Sequence, residues 1–126
     1  MQRDHTKVFV VDDDGPARES IALLLRTMGW DVRGFPSARE CLDVLTSDVP
    51  DCIVSDVNMP EIDGIAFVRA VTQNQRRVPV ILMTGNTVTS SLLQQATDAG
   101  AERVMEKPFS EQELESAVRS AIAPVH

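Results

Sequence analysis

Three consecutive carboxylates, Asp12, Asp13 and Asp14, follow a short apolar run that begins at Lys7. Like charges at this spacing repel one another, and a bound divalent cation offsets that repulsion. An aspartate carboxylate can also attack phosphorus and form an acyl phosphate. The triplet therefore predicts either a metal site or a phosphoryl-transfer nucleophile, and taken alone it does not separate the two.

Three further polar side chains follow mostly apolar runs in the same way. They are Asp56 after "CIVS", Thr84 after "VILM" and Lys107 after "RVME", a short strand pattern that ends in a glutamate. A threonine hydroxyl and a lysine ammonium can both bond the oxygens of a phosphoryl group. Each residue alone has an ordinary interpretation, as a helix cap, a turn residue or a surface charge. Their repetition after successive apolar runs favours one shared site.

The apolar runs alternate with helical patterns from one end of the chain to the other. Strands are predicted at residues 7–11, 31–35, 52–56, 78–84 and 102–106, and each precedes an apolar stripe at helical spacing. Pro16, Ser37, Gly100 and Ser110 stand where helix ends require such residues. Five strand–helix units predict a doubly wound α/β domain, whose ligands bind beyond the carboxyl ends of the strands.

The composition is that of one globular domain of 126 residues, with 12 basic and 19 acidic side chains and a net charge of −7. An acidic surface disfavours direct binding to nucleic acid or to an anionic membrane. Cys41 and Cys52 lie in apolar runs and are predicted to be reduced core residues. No apolar run approaches the roughly 20 residues that span a bilayer. The cytoplasm is the expected location, and residues 123–126 resemble the start of a linker.

Four segments in this order resemble the receiver domain of bacterial two-component response regulators: "FVVDDD", "IVSDVNMPEIDG", "VILMTG" and "EKPFSEQEL". The match extends essentially from Lys7 to Ile122, within a domain taken as residues 1–126. The resemblance implies a flavodoxin-like (βα)5 fold with strand order 2-1-3-4-5 and a cis peptide bond between Lys107 and Pro108. It also implies a signalling domain that catalyses only its own phosphorylation and dephosphorylation.

By this resemblance, Asp56 accepts phosphate from the phosphohistidine of a sensor histidine kinase. The implied Mg²⁺ or Mn²⁺ site consists of three carboxylates and one backbone carbonyl, those of Asp12, Asp13, Asp56 and Asn58. The implied phosphoryl contacts are two side chains and two backbone N–H groups, those of Thr84, Lys107, Val57 and Gly85. Phosphorylation is expected to change an output surface, to favour a homodimer and to control transcription through a separate output domain.

One position departs from the family pattern. Members usually carry an aromatic residue three positions before the lysine, and its ring turns inward on activation. This chain has Val104 there. A valine has no ring to reorient, so the expected output surface, formed by the fourth helix, fifth strand and fifth helix, must change in another way.

Two other functions remain open from the sequence. "FVVDDDG" also fits the first motif of haloacid-dehalogenase-type phosphatases, with Asp12 as the nucleophile and Asp14 as the general acid/base. Pro16 in place of a threonine and the lack of an acidic pair after Lys107 count against it. The second alternative is a receiver-like module that binds partners without phosphorylation. The complete acceptor and metal set counts against that alternative.

Overall fold

The computed structural model describes residues 6–74 and 78–123, in which five strands form one parallel sheet. The strand order is β2-β1-β3-β4-β5, as the family resemblance implied. The strands are β1 (Lys7–Val11), β2 (Asp31–Phe35), β3 (Cys52–Asp56), β4 (Val80–Thr84) and β5 (Arg103–Glu106). The helices are α1 (Gly15–Arg26), α2 (Ala38–Val44), α3 (Gly64–Asn74), α4 (Ser90–Ala99) and α5 (Glu111–Ile122).

Helices cover both faces of the sheet, so the central strands β1, β3 and β4 are apolar except near their ends. In β1, Phe9 packs with residues of α2, α3 and α4, whereas its neighbour Val10 packs with residues of α1 and α5. The two cysteines are buried in these cores and unpaired, and burial raises the pKa of each thiol to about 12. Their predicted role as core residues is confirmed. None of the helices in the described residues has the length and apolar character needed to cross a membrane.

The predicted strand boundaries hold for β1, β2 and β3, but β4 and β5 begin later than expected. Strand β4 begins at Val80 rather than Val78, directly after Pro79. A proline has no N–H to donate to a sheet ladder, although the Pro79 carbonyl still accepts from the Ile53 N–H at 3.0 Å. The apolar character of Val78 therefore belongs to the core but not to the strand.

The helix caps hold the connections that lead to and from the sheet edge. Asp14 caps α1, where its side chain accepts from the Ala17 N–H at 3.4 Å. Ser110 and Glu113 form the predicted capping box at α5, just beyond Lys107. Gly100 ends α4 with a left-handed φ of 108°. At α2, Ser37 accepts from the Glu40 N–H, which is half of the predicted capping box.

Candidate functional site

Three carboxylates meet where β1 and β3 end. These strands are neighbours in the sheet, with Val11 opposite Ser55. One carboxylate oxygen from each of Asp12, Asp13 and Asp56 lies within 4.8 Å of the others. The pleat of a strand would point Asp12 and Asp13 to opposite faces, but β1 ends at Val11, so both can turn toward Asp56. The structure thus brings together the three predicted metal-ligating carboxylates.

Asp12 is the buried member of the group, with only 1% of its surface exposed. Its Oδ1 accepts a hydrogen bond from the Asp14 N–H at 3.0 Å, and its own N–H donates to the Phe35 carbonyl at 3.1 Å. In the part of the chain that the structure describes, Asp12 Oδ2 is buried without a hydrogen-bond donor. The Lys107 ammonium is 3.7 Å from this oxygen, too far for a hydrogen bond, so the oxygen can still accept a further cation or donor.

The Lys107 ammonium lies opposite two of these carboxylates. Its Nζ is 3.7 Å from Asp12 Oδ2 and 3.8 Å from Asp56 Oδ1, distances of ion pairs rather than of hydrogen bonds. The Lys107 N–H donates to the Thr84 carbonyl at 2.7 Å, which ties this residue to the end of β4. The Lys107–Pro108 peptide bond is cis, as the family resemblance implied.

Thr84 lies buried at the end of β4 and controls the connection to α4. Its hydroxyl oxygen accepts from the Asn86 N–H at 3.1 Å. Across the sheet edge, Glu106 Oε1 accepts from the Val88 N–H at 3.1 Å. Two side chains at the ends of β4 and β5 therefore hold the loop of residues 85–89, and the sequence analysis did not identify Glu106 in this role.

The backbone N–H groups that follow β3 and β4 differ in whether they have a partner within the chain. The Val57 N–H donates to the Met83 carbonyl at 2.8 Å and so continues the ladder between β3 and β4. This bond occupies the donor that was expected to contact a phosphoryl group. Within residues 6–74 and 78–123, the Asn58 and Gly85 N–H groups have no partner in the chain. The first backbone N–H after Asp56 without such a partner is that of Asn58, past the last ladder bond.

The loop after Asp56 returns directly to the end of β3, where α3 begins. The Gly64 N–H donates to the Val57 carbonyl at 2.8 Å. A Cβ on Gly64 would lie 2.7 Å from both the Asp56 carbonyl oxygen and the Val57 Cα. Such distances exclude any side chain, so the glycine of the "EIDG" segment permits the close approach of α3 to Asp56.

Arg18 is a second residue that the sequence analysis did not identify. Its Nη1 donates to the Asp12 backbone carbonyl at 2.8 Å. Arg18 is four residues from the α1 cap Asp14, so helical spacing alone places both near the start of α1. That spacing gave no indication of which backbone group the guanidinium would bind.

Burial raises the pKa of Asp56 above the ordinary value of an aspartate. The negative charges of Asp12 and Asp13 add to the shift, whereas Lys107 and the Val57 N–H oppose it. The net effect disfavours the charged form of Asp56 in the folded protein. The carboxylate cluster is therefore a source of instability as long as no cation binds to it.

We expect Asp56→Asn to raise the melting temperature by a few degrees near neutral pH in metal-free buffer. Because the pKa of Asp56 is higher in the folded than in the unfolded state, this group costs no stability below about pH 4 and costs more as the pH rises through its raised pKa. The gain from the substitution should therefore vanish on acidification. Thermal melts of both proteins between about pH 3 and neutrality measure this, and an equal difference at every pH contradicts it.

The family model for the response regulator receiver domain matches residues 8–119. The transcriptional regulatory protein FixJ of Bradyrhizobium diazoefficiens is 36% identical over 115 residues, which are 91% of this chain and 56% of FixJ. The chain spans about half the length of the curated relatives it matches.

Solved structures share the fold. The chemotaxis protein CheY4 of Vibrio cholerae superposes with a TM-score of 0.87 and 29% identity, over 93% of this chain and 98% of CheY4. The receiver domain of the sensor histidine kinase PA1611 from Pseudomonas aeruginosa, with a magnesium ion coordinated in its active site cleft, has a TM-score of 0.84 and 24% identity. This superposition includes 94% of this chain and 98% of the PA1611 receiver domain. This chain therefore belongs to the family of response regulator receiver domains, which act in phosphorylation signalling.

Proposed function

We propose that Asp56 is the residue that accepts a phosphoryl group, donated by the phosphohistidine of a sensor histidine kinase. The observation that carries this proposal is the position of Asp56 among the site residues. Its carboxylate is close to two other acids and 3.8 Å from the Lys107 ammonium, at the edge where all the strands end. The chain would then catalyse only its own phosphorylation and dephosphorylation.

Exposure favours Asp56 over Asp12 as the nucleophile. The Asp56 side chain is 14% exposed, whereas Asp12 is 1% exposed and one of its oxygens is already bonded to the Asp14 N–H. A nucleophile must present a lone pair to an incoming phosphorus atom. Asp14, the general acid/base of the phosphatase alternative, instead caps α1. These contacts support the receiver function over the haloacid-dehalogenase-type one.

We assign the metal site to Asp12, Asp13, Asp56 and the Asn58 carbonyl. Mg²⁺ and Mn²⁺ prefer oxygen ligands, and the three carboxylates offer one oxygen each within 4.8 Å. Asp12 Oδ2, which is buried without a hydrogen bond in the described residues and is 3.7 Å from the Lys107 ammonium, also fits a cation. When bound, the ion supplies positive charge that offsets the charge on the phosphoryl oxygens.

The other site residues would bind the phosphoryl group once it is on Asp56. The Lys107 ammonium, 3.8 Å from Asp56 Oδ1, would supply a charge-assisted hydrogen bond to a phosphoryl oxygen. The Thr84 hydroxyl and the Gly85 N–H lie at the end of β4, next to β3 in the sheet. The Asn58 N–H serves in place of the Val57 N–H because its donor is not used in the ladder.

The output of phosphorylation would pass through the loop of residues 85–89. Val104 in β5 is partly buried against the core and has no ring to reorient, so the signal depends on Thr84 and the loop bonds. The relatives named as transcriptional regulators support control of transcription by a longer protein, with homodimerisation on phosphorylation. A cytoplasmic location and the absence of direct nucleic acid contacts in this domain complete the proposal.

Incubation with acetyl phosphate and Mg²⁺ should add one phosphoryl group to Asp56. Attack by the Asp56 carboxylate predicts a single mass increase that Asp56→Asn abolishes, whereas Asp43→Asn, at an exposed position of α2, leaves it unchanged. Intact mass and site mapping provide the measurement. A label on Asp12 would indicate the phosphatase chemistry, and no label with any donor would indicate a phosphorylation-independent module.

Loss of Asp13 should weaken Mg²⁺ binding, whereas loss of its neighbour Asp14 should not. Asp13→Asn removes one proposed ligand and is expected to raise the Mg²⁺ dissociation constant at least about tenfold. Asp14→Asn removes the same charge but keeps a side-chain acceptor for the α1 cap, so it is the matched control. Titration by calorimetry compares them. An equal effect of both substitutions would show that only overall charge matters.

Phosphorylation of Asp56 should shift the amide resonances of Asn86 and Val88. The Asn86 N–H is bonded to Thr84 and the Val88 N–H to Glu106. A Thr84 hydroxyl that turns toward phosphate disturbs the first bond, and movement of Lys107, the neighbour of Glu106, disturbs the second. The Ser47 amide, bonded to the Val44 carbonyl after α2, should not move. Two-dimensional amide spectra before and after addition of a beryllofluoride mimic test this. Unchanged Asn86 and Val88 would exclude the loop of residues 85–89 as the output path.

A further inference from the structure

We propose that Arg18 is a positioning residue of the metal site, which acts by fixing the Asp12 peptide rather than by its charge. The proposal rests on the function proposed above and adds a residue that does not touch the phosphoryl group or the metal. Arg18 belongs to the first turns of α1, and its side chain turns back toward the end of β1. Its Nη1 donates to the Asp12 carbonyl at 2.8 Å.

The Asp12 carbonyl needs such a donor because β1 has already ended. In a continuing strand, this carbonyl would accept from a neighbouring strand. The last residue of β1 is Val11, and no backbone N–H of the described residues donates to the Asp12 carbonyl. Since Asp12 is buried, water replaces that partner poorly. The Arg18 guanidinium takes the place of the missing sheet partner.

The Arg18 contact and two other hydrogen bonds engage three of the four polar atoms of Asp12. The Asp12 N–H donates to the Phe35 carbonyl, its carbonyl accepts from Arg18, and its Oδ1 accepts from the Asp14 N–H. The remaining atom, Oδ2, is buried without a hydrogen bond in the described residues and is 3.7 Å from the Lys107 ammonium. The three bonds therefore fix the direction of the one oxygen that is left for a cation.

The path of the Arg18 side chain also depends on Gly34 in β2. A Cβ at Gly34 would lie 3.2 Å from Arg18 Cδ and 3.3 Å from its Cγ, so the methylene stem lies against the bare backbone of this residue. Glycine normally weakens a strand interior. Its presence opposite Val10 is explained by the space that the Arg18 stem occupies. Residues of α1 and β2 thus form one support for the end of β1.

The charge of Arg18 does not explain this arrangement. Three carboxylates lie nearby, yet within the described residues the guanidinium forms no ion pair with any of them. The two explanations, charge and positioning, therefore predict opposite changes in Mg²⁺ affinity when the Arg18 side chain is removed. If only charge mattered, removal of a cation beside the site would tighten Mg²⁺ binding. If Arg18 positions Asp12, loss of the Arg18 side chain loosens the residues that follow β1 and weakens Mg²⁺ binding.

The test measures Mg²⁺ affinity in Arg18→Met, which keeps an apolar stem but has no donor. We expect the dissociation constant to rise about tenfold, the lower end of the effect of losing a residue that supports a metal ligand. Arg33→Met is the matched control, since it removes the same charge from a residue of β2 that pairs with Asp48. Its Mg²⁺ affinity should stay within about twofold of the wild type or rise slightly.

Gly34→Ala tests the same support without a change of charge. The added methyl group displaces the Arg18 stem, so we expect weaker Mg²⁺ binding in this variant too. In the Arg18→Met background, where the thinner side chain can move aside, Gly34→Ala should add little. Non-additive effects of this kind identify two residues that act through one contact.

A second readout uses the metal-free protein. The Asp14 amide is bonded to Asp12 Oδ1, so hydrogen exchange at this amide should speed up in Arg18→Met and in Gly34→Ala but not in Arg33→Met. Amide spectra of each variant confirm that the rest of the domain is folded. This measurement bears on Arg18 whether or not the proposed metal site is correct.

Two results would overturn the proposal: Mg²⁺ affinity that is unchanged or higher in Arg18→Met, or an Asp14 amide with wild-type exchange in that variant. The failure of the underlying function looks different. In that case Asp13→Asn itself leaves Mg²⁺ affinity unchanged, while the Asp14 amide still reports whether Arg18 fixes the Asp12 peptide.

Discussion

Repulsion among Asp12, Asp13 and Asp56 is the constraint on which the rest of the site depends. Three carboxylates with oxygens within 4.8 Å are opposed by one ammonium, that of Lys107, at ion-pair distance. Burial adds to the cost of ionising Asp56 and removes hydrogen-bonding solvent from Asp12. A site in this condition favours whatever brings positive charge. The same crowding that destabilises the metal-free fold therefore stores binding energy for a cation.

The parallel sheet produces this crowding because it brings the carboxyl ends of its strands to one edge. Strands β1, β3, β4 and β5 each deliver a polar group just beyond their last residue or at it, and buried apolar neighbours hold the strands in register. The ladder bonds stop at different points, however. Val57 still takes part in the ladder, whereas Asn58 does not. Which backbone groups can face a ligand is decided by the last ladder bond rather than by residue type.

This distinction explains what the sequence could predict. The doubly wound α/β class and the strand-end positions of Asp12, Asp56 and Lys107 follow from apolar periodicity and from the polar residues that end each run. The strand order and the residue roles were implied by the family resemblance. The Val57 assignment and the role of Arg18 depend on individual backbone donors and acceptors, which hydrophobic pattern does not report. Likewise, the late start of β4 at Val80 reflects the missing N–H of Pro79 rather than any loss of apolar character.

Backbone donors also give this chain a path from the acceptor to the loop of residues 85–89 that needs no aromatic ring. The Thr84 hydroxyl bonds the Asn86 N–H, and Glu106, which precedes Lys107, bonds the Val88 N–H. In the proposed function, the two side chains that would approach a phosphoryl group on Asp56 are Thr84 itself and Lys107, the direct neighbour of Glu106. Movement of either one changes a loop anchor. Because Val104 is packed against the core, it can remain in place while the loop responds.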